Sequence, residues 1–179
     1  MKRRDVLKTG GIALTAGMIG LAGCSSSDAE TPEQTGGPDA SGDTTIDMVT
    51  NSGSYYFDPI GLHVESGTTV TFINQEGSHS TVAYKDGVGQ ATTTRLPDGA
   101  DSWESSILTE SGATVDHTFE TAGTYDYFCG PHKALGMVGR IVVGEPGGPA
   151  DGSMPPDGTV PESQEIVDAG QVSFEEFSG

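Results

Sequence analysis

Gly123-Thr124-Tyr125-Asp126-Tyr127-Phe128-Cys129-Gly130-Pro131-His132-Lys133-Ala134-Leu135-Gly136-Met137-Val138-Gly139 is the stretch on which the fold turns. After the turn Ala122-Gly123, residues 124–128 read as a short strand rich in Thr, Tyr and Phe, and Ile141-Val142-Val143 reads as another that stops at Gly144. Cys129, His132 and Met137 lie on the loop between them, spaced as Cys, two residues, His, four residues, Met. A thiolate and a thioether favour Cu(I), and imidazole serves both Cu(I) and Cu(II), so the loop suits a copper that changes oxidation state. A fourth ligand must come from elsewhere. His79 follows the strand that ends in Phe72-Ile73-Asn74, and a sandwich could bring it beside the loop.

Outward from the loop the same strand grammar continues. Apolar and polar residues alternate in Leu62-His63-Val64 and Val70-Thr71-Phe72, with Gly67 as the turn between them. Val115, His117 and Phe119 share one face. Many short strands at this spacing predict an all-β domain, an antiparallel β-sandwich, over residues 44–144. Residues 145–179, rich in Pro, Gly and acid, read as a mobile tail, although Ile166, Val167, Val172, Phe174 and Phe177 would allow docking. Residues 24–43 have the composition of a flexible linker. Residues 1–23 read as an export signal: Arg3-Arg4 opens a twin-arginine pattern, and the apolar run is too short to span a bilayer. Leu21-Ala22-Gly23-Cys24 resembles a lipobox, which makes Cys24 the expected lipid attachment point and predicts anchorage to the outer face of the cell membrane.

The 179 residues carry a net charge of −18. Removing 1–23 takes away four basic residues and one acid and leaves −21, with only Lys85, Arg95, Lys133 and Arg140 as cations. Such a surface repels nucleic acid, so no nucleic-acid partner is expected. Its acids are dispersed, which suits a surface kept hydrated in high salt. Of the two cysteines, each has a use other than a disulfide.

Phe57-Asp58-Pro59, the run Leu62, Val64, Gly67, Val70, Phe72, Asn74 and His79, and then 123–132 and Gly136-Met137-Val138-Gly139, together resemble the plastocyanin and halocyanin branch of the cupredoxins. The resemblance implies a Greek-key sandwich with disordered N- and C-terminal extensions. It also implies one type 1 copper per chain on His79, Cys129, His132 and Met137, and a corner tied by the Tyr125 hydroxyl. Pro131 is shared and has no N–H to offer the cysteine sulfur. Ser80 stands where the family usually has Asn, so the tie between the two ligand loops is made differently. His63 is expected to face solvent and His117 to be half-buried, neither on the metal.

The implied function is a single-electron carrier between membrane-associated redox partners, a donor and an acceptor that the sequence does not name. The alternative is a copper buffering or delivery protein at the cell surface. Four protein ligands leave no open position for substrate, and an oxidase would need more histidines than the chain has, so no enzyme activity is expected. A monomer is expected, with electrons passing through His132 and a partner touching Leu135.

Overall fold

The computed structural model describes residues 44–179; the signal 1–23, Cys24 and the linker 24–43 lie outside the described residues. Strand β1 (Thr45–Asn51) buries Ile46 and Met48 on one face. The chain reverses at Ser52 and Gly53, both at positive φ (51° and 88°), the conformation of a two-residue hairpin turn, into β2 (Ser54–Asp58). That turn fixes the register, so that Thr50 faces Tyr55 across the hairpin. Strand β3 (Gly61–Val64) is followed by β4 (Thr68–Asn74), which buries Val70, Phe72 and Asn74 in strict alternation. After β5 (Val82–Ala83), a long crossing segment leads to β6 (Thr114–Phe119), β7 (Gly123–Phe128) and β8 (Val138–Val143).

Two sheets result, ordered β2-β1-β4-β6 and β5-β7-β8-β3, with a short ninth strand, β9 (Gln171–Val172), added beside β3. The sandwich is mixed and not wholly antiparallel as expected: β1 runs parallel to β4, and β3 parallel to β8. Between the sheets lies one apolar core, including Ile46, Phe57, Leu62, Phe72, Phe119, Tyr125, Tyr127 and Ile141. The Tyr125 hydroxyl donates to the Thr121 carbonyl four residues upstream, the corner tie expected of it.

The C-terminal expectation is corrected. Residues 145–179 are not a mobile tail: they cover the outer face of the second sheet with helix α1 (Ser163–Ala169), β9 and helix α2 (Phe174–Ser178). Val160, Ile166 and Val172 are buried there against Ile60, Phe128, Val138 and Val142, and each such side chain is worth roughly 1.5–3 kcal/mol. Strands β7 and β8 are consequently buried on both faces along their whole length. Under the cover, Asp126 of β7 joins two cations: its Oδ2 accepts from Arg95 Nε at 2.6 Å and its Oδ1 from Arg140 Nε at 2.8 Å. Arg140 Nη2 also reaches Asp126 Oδ2, Arg95 Nη1 donates to the Ser153 hydroxyl, and further guanidinium bonds go to the carbonyl oxygens of Ala150, Ser153 and Pro161.

Candidate metal centre

Four segments meet at one end of the sandwich: the loop after β4, the loop between β7 and β8, the β1–β2 turn and the crossing segment near Leu108. Asn74 ends β4, and its amide donates to the carbonyls of Gly77 and Glu110, which curls the chain toward His79. Gly77 has φ +99°, and a Cβ there would lie 2.5 Å from Thr50 Oγ1 and 3.3 Å from His79 Nε2, so only glycine lets the loop close on the imidazole. A two-way backbone bridge between His79 and Leu108 fixes the loop from the other side.

On the second loop, Cys129 directly follows β7, and its N–H donates to the Met137 carbonyl at 3.0 Å. A single 3₁₀ turn, Lys133–Leu135, carries the chain from His132 to Gly136, whose left-handed φ of 86° returns it to Met137. The loop therefore closes on itself with Cys129 and Met137 inward, both fully buried, and His132 half-buried at the rim.

Of the predicted ligands, the structure brings His79, Cys129 and His132 together, with their donor atoms all within 4.8 Å of one another. Cys129 Sγ stands 3.6 Å from His79 Nδ1 and 3.4 Å from His132 Nδ1. His79 Nε2 lies 3.0 Å from the Glu76 carbonyl, which can only accept, so Nε2 bears the proton and the Nδ1 lone pair faces the sulfur. Burial lowers the pKa of His79, against a backbone bond to Glu76 that raises it, and burial also lowers that of His132, so both rings are neutral ligands at neutral pH. Burial pushes the Cys129 thiol up, while the backbone N–H groups of Ser80 and His132 pull it back. A cation bound here would offset that burial cost by holding the thiolate. One thiol, two neutral imidazoles aimed at it and a buried thioether fit a type 1 copper.

The tie between the loops survives the exchange of Asn for Ser: the Gly130 N–H donates to Ser80 Oγ at 3.0 Å. His63 is half-buried and not solvent-facing as expected, because its Nε2 donates to the Gly144 carbonyl at 3.0 Å. His117 is half-buried as expected, stacked on Trp103 at 4.3 Å. Neither joins the cluster. Leu135 is 64% exposed beside His132. Sequence reasoning missed Thr50, whose hydroxyl lies 2.9 Å from His79 Nε2, and Tyr55, whose ring stacks on His132; the paired Ser52-Gly53 turn was the signal that set them opposite each other. It also missed Asp157, which pairs with Lys133 at 2.6 Å and accepts from the Tyr84 hydroxyl at 2.7 Å, tying the covering segment to the ligand loop.

A sandwich with one such donor cluster at its end defines a copper-binding β-domain of the cupredoxin class. The family of copper binding proteins described as plastocyanin/azurin matches residues 44–144, and the chain belongs to it. That family is one of blue copper electron carriers with one type 1 copper. The chain is 36% identical over 104 residues to the plastocyanin of Scenedesmus fuscus, which spans 56% of this chain and 99% of that protein. It is 32% identical over 109 residues to the halocyanin of Natronomonas pharaonis, covering 59% of this chain and 60% of the other. In fold it is similar to the pseudoazurin of Methylobacterium extorquens AM1, with a TM-score of 0.51 at 23% identity, over 70% of this chain and 94% of that one. No helix among the described residues is long and apolar enough to cross a membrane.

Proposed function

We propose that the chain carries single electrons between membrane-associated redox partners, using one type 1 copper on His79 Nδ1, Cys129 Sγ, His132 Nδ1 and the Met137 thioether. The observation that carries this reading is the convergence of two imidazole Nδ1 atoms on one buried sulfur, at 3.6 and 3.4 Å. Bound copper supplies the one-electron Cu(I)/Cu(II) couple. The protein's residues do the rest: buried Cys129 and Met137 exclude water, the Glu76 carbonyl holds the His79 tautomer, and His132 reaches the rim as the electron port. Exposed Leu135 offers a partner an apolar contact beside that port, suited to brief association. With four side chains on the metal there is no open position for substrate chemistry. The test is copper loading of wild type and Cys129→Ser. Wild type should take up one copper per chain with intense orange-red absorption and a reversible potential, and the variant should be colourless; a blue variant would sink the assignment.

The run Leu21-Ala22-Gly23-Cys24 supports export, with lipid on Cys24 holding the domain at the outer face of the membrane. The mass of the mature N-terminus checks it: an unmodified chain beginning elsewhere removes the anchor. Dispersed acid supports life in high salt as a monomer, and a melting temperature flat from low to multimolar salt would count against that habitat.

A further inference from the structure

We propose that the tip of the β1–β2 hairpin is a clamp on both imidazoles, with Tyr55 the positioning residue for His132 and Thr50 its counterpart for His79. Thr50 and Tyr55 face each other in the hairpin register, so one rigid turn delivers both contacts. Thr50 Oγ1 lies 2.9 Å from His79 Nε2. The Tyr55 ring lies face to face with His132, centroids 3.8 Å apart and planes 15° from parallel, and meets His79 edge-on at 6.4 Å.

The two histidines are held by different means. His79 has the Glu76 carbonyl and the Thr50 hydroxyl at Nε2. Among the described residues the His132 side chain has no hydrogen-bond partner beyond the contact of its Nδ1 with Cys129, and the 3₁₀ turn that follows it has no side-chain cap. The face of Tyr55 is therefore what orients the His132 ring. A ligand whose orientation is locked by packing needs little rearrangement when the charge at the centre changes. A stacked aromatic pair weights the held rotamer by roughly 2- to 10-fold. Tyr55 is itself half-buried at the rim, so its ring also widens the conjugated surface that a partner meets at His132.

This inference rests on the reading that His132 binds copper, and self-exchange between two copies is its functional readout. One electron leaves Cu(I) of one copy and reduces Cu(II) of the other, with no bond made or broken between copies and no proton moved.

The test compares Tyr55→Leu, Tyr55→Phe and Thr50→Val in the full chain, with and without copper. In the copper-free protein, the NMR resonances of the His132 ring should carry an upfield ring-current shift that Tyr55→Leu removes and Tyr55→Phe keeps. Thr50→Val should disturb the His79 ring and leave His132 alone. In the copper-loaded protein, Tyr55→Leu should stay blue, exchange electrons roughly 2- to 10-fold more slowly and lose Cu(I) faster to a chelator, with Tyr55→Phe at wild-type values. Were the ring only filling space, its removal would lower the melting temperature and abolish the ring-current shift without slowing exchange or changing Cu(I) loss to the chelator. The clamp is overturned if Tyr55→Leu leaves exchange unchanged, or if Tyr55→Phe behaves like Tyr55→Leu. A wild type that takes up no blue copper refutes the copper reading itself, whereas a blue Tyr55→Leu with wild-type exchange refutes the clamp alone.

Discussion

Asp126→Asn is the substitution whose cost the structure sets most sharply. Asp126 is fully buried, and its two oxygens accept from Arg140 Nε at 2.8 Å, Arg140 Nη2 at 3.2 Å and Arg95 Nε at 2.6 Å. Burial works against the carboxylate and the guanidinium groups work for it; with both at contact distance, the charged form is the one that satisfies their donors. Asparagine keeps the shape, but it turns an NH₂ toward one guanidinium and leaves two cations with no counter-charge. Removing one partner from a buried ionic cluster costs about 3–5 kcal/mol, against a total stability of roughly 5–15 kcal/mol. With a urea dependence of roughly 1–3 kcal/mol per molar, the unfolding midpoint should fall by about 2 M. Trp103 fluorescence would follow unfolding, and the exchange of the Ile60 amide, bonded to the Val172 carbonyl, would report release of the C-terminal cover. The deficit should persist in multimolar salt, because a buried cluster is not screened as surface acids are. A midpoint within about 0.5 M of wild type, or a deficit that salt erases, would refute the buried latch.

Two further outcomes follow from the rim of the site. Burial pushes the Asp157 carboxyl up, but the hydrogen bonds and charge of Lys133 and the Tyr84 hydroxyl hold it, on balance, below its ordinary value. A depressed carboxylate stabilises the fold above the unfolded-state value near about 4 and loses that contribution as pH falls through the folded value. Wild type should therefore lose more stability on acidification than Asp157→Asn, and parallel melting-temperature profiles from pH 7 to 3 would contradict the ion pair's role. Leu135→Asp should keep the blue spectrum and nearly the same potential yet slow electron self-exchange, since the Leu135 side chain is not among the clustered donors and the residue is 64% exposed; an unchanged exchange rate would move the port to another face.

How far the sequence was legible depends on which atoms hold each part together. The ligand loop was legible because side chains carry it: Cys129, His132 and Met137 sit at a spacing that a strand, one 3₁₀ turn and a left-handed Gly136 convert directly into convergence. Strand β4 was legible too, because it is buried on one face and alternates. Strand β8 gave no alternation, and β7, where Tyr125 and Tyr127 alternate with Thr124 and Asp126, read as covered on one face only, although both strands are buried on both faces.

The cover itself was misread for a related reason. Residues 145–179 look soluble because their apolar side chains are sparse and their acids many, and composition of that kind normally cannot offset the entropy of ordering. Beside the few buried apolar side chains, much of what binds the segment is backbone: carbonyls of Ala150, Ser153 and Pro161 accept from two buried guanidinium groups, and β9 pairs with β3 through main-chain bonds. Carbonyls are present at every residue and so leave no trace in composition. The trace lies in the receiving domain, where two of only four cations in residues 44–179 are spent beside one aspartate inside the fold. In a chain so rich in acid, an arginine in the middle of an apolar strand, as Arg140 is between Gly139 and Ile141, implies more acceptors than one carboxylate supplies. Arg95 adds a second guanidinium to the same carboxylate, so the remaining acceptors had to come from chain outside the two-sheet sandwich.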